Sequence, residues 1–122
     1  MYFKIKTYIY PFKIIVFMDE TDIFVWNKLK NNNSKEGCNP LMNFSEQTSG
    51  RTHLLPSLDL VIRLESYPDK YTMLGVIYHE VMHASLFAMD RIGCEYIAGG
   101  SNEPYTYFGE YLFVEICKKI NI

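Results

Sequence analysis

Residues 68–93 impose the strongest constraint on this chain. Pro68-Asp69 opens the stretch, Gly93 closes it, and no other proline interrupts it. Proline in the first turn and glycine just past the last are the usual punctuation of a helix, so the spacing predicts one running to about Ile92. Within it lies His79-Glu80-Val81-Met82-His83. A helix turns about 100° per residue, which puts His79 and His83 on one face, one turn apart, where both imidazoles reach a single tetrahedral Zn²⁺. Glu80 projects beside the ion, placed to take a proton from a zinc-activated water and deliver it to a leaving group. The alternative is a core histidine pair with no metal. The surrounding segment is apolar on nearly all sides, and each unpaired buried polar group there would cost about 1–3 kcal/mol.

The pattern of elements around this helix predicts an α+β fold. Tyr2–Met18, rich in Tyr, Phe, Ile and Val but broken by Pro11, reads as two strands, or as a lead-in and one strand over Phe12–Met18. Asp19 or Thr21 caps a short helix with Ile23, Phe24 and either Trp26 or Leu29 inward, ended by the polar run Asn31–Ser34. Leu41–Phe44 and Thr52–Leu55 read as short strands joined around Ser49-Gly50. In Leu58–Leu64, one apolar and one mixed face suit a strand near the edge of a mixed sheet. A last helix runs from Ser101 or Asn102 to about Lys119, with Glu103 in its first turn and Lys118 and Lys119 in its last. The expectation is a small twisted mixed sheet packed on the histidine helix, with the C-terminal helix closing the metal site.

A catalytic zinc needs a third protein ligand. His53 is the one other histidine, and Glu95 follows Gly93 too closely to swing back over the metal. Glu103 is better placed, because a reversal through Ala98-Gly99-Gly100 lays the last helix antiparallel to the first and turns Glu103 toward His79 and His83. Glu110 and Glu115 then sit farther away. Glu103 can equally serve only to complement its helix dipole.

His-Glu-x-x-His, followed about twenty residues later by Asn102-Glu103 at the start of another helix, resembles the gluzincin branch of the zincin metallopeptidases. That resemblance, carried by residues 58–115, implies His79, His83 and Glu103 as zinc ligands and Glu80 as general base. It also implies that Leu58–Leu64 is the edge strand along which a peptide or protein substrate lies. The small size, with Asn102–Tyr107 and Gly109–Leu112, also resembles short zincin-like proteins of bacteriophages and prophages. The implied function is a zinc-dependent hydrolase, most simply a metallopeptidase. The alternative is a non-catalytic zincin-fold protein, such as a virion component or a modulator of a host protein. Two departures are plain. Tyr107 stands where the family has an Asp that orients the first His; Glu110, on the same helical face as Glu103, is the candidate substitute, with a purely structural role as its alternative. The family's large second domain is expected to be missing, and Tyr105 or Tyr107 could donate a phenol to an oxyanion, with packing the alternative for either.

Composition excludes several other classes. The chain has the length of one domain, residues 1–122, and its 48% hydrophobic residues set it apart from disordered tails. Twelve basic against fourteen acidic residues give a net charge of −2, which argues against a broad grip on nucleic acid or anionic lipid. No apolar run approaches the roughly 20 residues of a membrane span. Cys38, Cys94 and Cys117 are odd in number and form no Cys-x-x-Cys pair, which fits reduced thiols in the cytoplasm; the phage resemblance implies virion association as the alternative. Lys4 and Lys6 precede an apolar stretch, but Pro11 and Lys13 interrupt it and Asp19-Glu20 follows where a cleavage site would need small residues.

Overall fold

The computed structural model describes residues 1–30, 50–55, 57, 59–100 and 102–122. The fold is α+β, a four-stranded mixed sheet with three helices among the described residues. They form two compact units, residues 1–66 and 67–122. The expected strand Leu41–Phe44, Ser101 and Cys38 lie outside the described residues.

The first unit holds the sheet. Strands β1 (Tyr2–Ile5), β2 (Ile14–Met18), β3 (Gly50–Leu54) and β4 (Leu60–Leu64) line up in the order β1-β2-β4-β3. β1 pairs antiparallel with β2, β2 parallel with β4, and β3 antiparallel with β4. Pro11 falls in the β1–β2 connection. There the buried Thr7 hydroxyl lies between the carbonyls of Tyr10 (3.0 Å) and Phe12 (2.8 Å), which share its one proton.

β4 corrects the reading of Leu58–Leu64 as an edge strand. It is flanked on both sides, and all five of its residues are buried. Strands paired on both sides and covered on both faces read as near-continuous apolar runs, and Ile14–Phe17 in β2 shows the same burial. The alternation in β4 came from Arg63, a buried cation that imitates the polar face of an edge strand. Leu58 lies outside the described residues. Because β3 covers that side of β4, the strand implied to hold a peptide substrate is not open to one.

Helix α1 (Asp22–Leu29) starts at Thr21, whose hydroxyl accepts from the Phe24 amide at 3.2 Å. Its inward residues are Val25 and Leu29, which join Ile15, Phe17, Leu55 and Val61 in one buried cluster with Tyr2 and Phe24 packed against it. Ile23 is 74% exposed, against expectation, since it lies about 140° round the helix from the midpoint of Val25 and Leu29. Arg63 shares the sheet face of Val61. Its guanidinium reaches the first turn of α1, donating to Asp22 Oδ1 at 2.6 Å and to the Glu20 carbonyl at 3.1 Å. Asp19, at φ 59°, accepts from the Ser66 amide, and Glu20 pairs with the Met1 ammonium, so the acidic groups around the end of β2 are engaged.

The second unit is a helical hairpin. α2 (Lys70–Arg91) is capped by Asp69, whose Oδ2 accepts from the Thr72 amide and hydroxyl at 2.8 and 2.7 Å. It ends at Gly93, whose φ of +74° is the left-handed conformation that glycine adopts without strain. α3 (Glu103–Ile120) begins after Asn102, which makes no side-chain cap, and ends at Asn121 in the left-handed region. Both long helices thus keep the limits expected of them within about two residues.

His53 has its pKa lowered from 6.5 to about 4 by loss of solvent first, then by the charges of Arg51 and Arg63. Its Nε2 is buried without a hydrogen-bond partner among the described residues. Between about pH 4 and 6.5 the unfolded chain therefore takes up a proton that the folded chain refuses, so stability declines as pH falls through that window. Urea denaturation at stepped pH should show this decline, and His53→Leu should flatten it. A second expectation concerns Arg63: Asp22→Ala, which strips a carboxylate from a buried guanidinium, should cost about 1–2 kcal/mol in the same assay. An unchanged midpoint would refute that role for the pair.

Candidate metal site

The His-Glu-x-x-His segment lies in the middle of α2, at least two turns from either end, so its backbone hydrogen bonds are intrahelical and its side chains hold fixed directions. His79 and His83 are both exposed. Their rings meet edge to face with centroids 4.8 Å apart, and the two Nε2 atoms are 3.1 Å apart. Nitrogens bound to one zinc at about 2.05 Å and separated by that distance would subtend about 100° at the ion, close to tetrahedral. The separation also suits a hydrogen bond between two neutral rings, one donating.

Glu80 is buried, and the ligating atoms of His79, Glu80 and His83 all lie within 4.8 Å of one another. Among the described residues, these three are the one group of His, Cys, Asp or Glu compact enough to hold a metal ion. The two imidazoles are donors that zinc takes, and the Glu80 carboxylate within 4.8 Å of them would stand beside such an ion, near a water bound to it.

α3 runs antiparallel to α2, and two small residues set its approach. Ser85 Oγ donates to the Tyr105 carbonyl at 2.7 Å, and a methyl group built on Gly109 would lie 3.8–3.9 Å from Val81 and Ser85. Continuing that register puts Glu110 roughly level with Glu80, and Glu103 roughly level with Phe87, about one turn past His83. Val81 and Ser85 face α3, whereas His79 and His83 lie about 140–180° round α2 from their midpoint. The structure thus brings His79, Glu80 and His83 together and leaves Glu103, exposed at the first position of α3, outside the group. The reversal of the chain sets the first turn of α3 beside the C-terminal part of α2, about one turn past His83.

The remaining candidates have other surroundings. Tyr105 donates its hydroxyl to the Cys94 carbonyl and stacks edge-on against Tyr96, which ties the loop before α3 to the helix. Its phenol pKa is raised, first by lost solvation and then by Cys94, Asp90 and Glu95. Tyr107 is 67% exposed. Glu110 lines a cavity of about 540 Å³ between α2 and α3, together with Tyr78, Met82, Leu86, Tyr96 and Phe113. That cavity was not read from the sequence. Ser85 and Gly109, small residues in facing helices, were the available signal of a close approach.

Comparison with known proteins returned no matching family model, no matching curated protein and no matching solved structure.

Proposed function

We propose that this chain is a zinc-dependent hydrolase, most simply a metallopeptidase, with His79 and His83 holding the ion. The observation that carries the reading is the 3.1 Å separation of the two Nε2 atoms beside a buried carboxylate. Zinc, when bound, supplies Lewis acidity toward a carbonyl and makes a water acidic enough to attack near neutral pH. Glu80 takes the proton of the attacking water and hands it to the departing amine. A metal held only for structure has no use for a base at that position, which supports hydrolysis over a purely structural ion. The substrate is then a peptide or protein, and the cytoplasm is the compartment that reduced cysteines suit.

Glu103 is the third ligand named by the gluzincin resemblance. To serve, it would have to reach from beyond His83 to the far side of α2, so the assignment rests on the resemblance alone. That same placement supports a second reading: a non-catalytic metal-binding protein, such as a virion component or a modulator of a host protein.

Three variants separate these readings. Metal analysis of protein purified without added zinc should find about one ion per chain, and His83→Ala should lose most of it. Equal zinc in both would end the proposal. Zinc should raise the melting temperature of the metal-free protein, because it binds the folded chain, and Glu103→Ala should leave that rise intact unless Glu103 is a ligand. Glu80→Gln should keep its zinc while peptide hydrolysis falls on the order of 10²- to 10⁴-fold. Zinc retained with no hydrolysis by the unaltered protein would favour the non-catalytic reading.

A further inference from the structure

We infer that the cleft between α2 and α3 is a peptide-binding groove for a bulky apolar segment flanked by basic residues, which makes an apolar–basic peptide the substrate class of the neighbouring site. The word "substrate" rests on the hydrolase reading; the binding itself does not.

The floor is set by the close approach at Ser85 and Gly109, and the 540 Å³ volume falls in the range of pockets that take organic ligands. One wall is the stripe Tyr78, Met82 and Leu86, which stands 59%, 44% and 46% exposed. An uncovered stripe of this kind marks a contact surface. Tyr78 immediately precedes His79, and Met82 immediately precedes His83, so each wall residue is one helical step of about 100° from an imidazole. A side chain seated in the groove therefore places the adjoining peptide bonds beside the histidine pair.

The charges select the flanks. Glu110 lines the groove, and no Lys or Arg does. A single acidic side chain in an otherwise uncharged, largely apolar lining favours a ligand with an apolar centre and a cationic flank. A second copy of the helical hairpin is a poorer occupant, because residues 67–122 carry seven acidic against four basic side chains.

The test uses the metal-free full chain and three acetylated, amidated tetrapeptides, with the sequences Lys-Leu-Phe-Lys, Ser-Leu-Phe-Ser and Glu-Leu-Phe-Glu. Calorimetric titration should give saturable binding in the order basic, uncharged, acidic. Leu86→Asp, at a half-exposed site that does not threaten folding, should weaken the first two peptides about tenfold or more. Glu110→Gln should weaken only the basic one, by about fivefold. The inference is overturned if the basic peptide does not saturate, if the acidic one binds as well, or if Leu86→Asp changes nothing. It is equally overturned if sedimentation shows the chain pairing with itself through Leu86. Zinc uptake by the same samples reads the other assignment separately: peptide binding without zinc uptake upholds the groove and sinks the hydrolase.

Discussion

The pitch of α2 governs the second unit. Two histidines four residues apart are carried to one face by a helix that no proline interrupts, and the unbroken turn between them brings their Nε2 atoms to 3.1 Å. Asp69 at one end and Gly93 at the other fix where that helix starts and stops, which keeps the histidine segment well inside the cooperative interior. Fraying is confined to the ends, so the directions of His79, Glu80 and His83 are set by backbone geometry before any ion is considered. A site preorganised in this way loses little entropy when a ligand binds.

The approach of α3 is a separate constraint, and it decides which carboxylates stand near the histidines. Ser85 and Gly109 let the two backbones come close, and the Ser85 hydroxyl anchors the first turn of α3 through the Tyr105 carbonyl. Tyr105 in turn holds the loop before α3 through its bond to the Cys94 carbonyl. These contacts leave Glu103 at the far end of the shared seam and put Glu110 at the level of Glu80. A methyl group at position 109 would meet Val81 and Ser85 at ordinary van der Waals distance, so the seam there has room for little more than a methyl group.

Much of this was legible in the sequence, for definite reasons. The limits of α2 and α3 could be read because Pro68, Asp69, Gly93 and Lys118-Lys119 are local signals that act within one turn. Thr21 was read as a possible cap for the same reason, and the split of Tyr2–Met18 followed from the missing amide of Pro11. What failed depended on partners distant in the chain. Arg63 looked like the polar face of an edge strand because its counter-ion, Asp22, lies 41 residues earlier and alternation carries no record of it. The inward face of α1 was misread at Ile23, which is as apolar as the buried Val25, and only the position of the sheet chooses between them. Glu103 was expected to face the histidines from the direction of the chain reversal, but its level along α2 depends on how far past the turn the helices begin to pair.

The faces of α2 divide their work by angle. Residues such as Ile77, Val81, Ala84, Ala88 and Met89 are buried and carry the packing, and Glu80 stands at the margin of that buried arc. His79 and His83 lie on the exposed arc, with Tyr78, Met82 and Leu86 between them and the seam with α3. The imidazoles therefore contribute little to the core, and their presence as an adjoining pair needs a reason other than stability. The exposed apolar stripe beside them poses the same question, since a solvated surface gains nothing from Met and Leu there. On the reading proposed above, a ligand that covers the stripe while presenting a reactive group to the histidines would answer both at once, whereas a bare hydrogen bond between the two rings would account for neither the stripe nor the carboxylate held next to them.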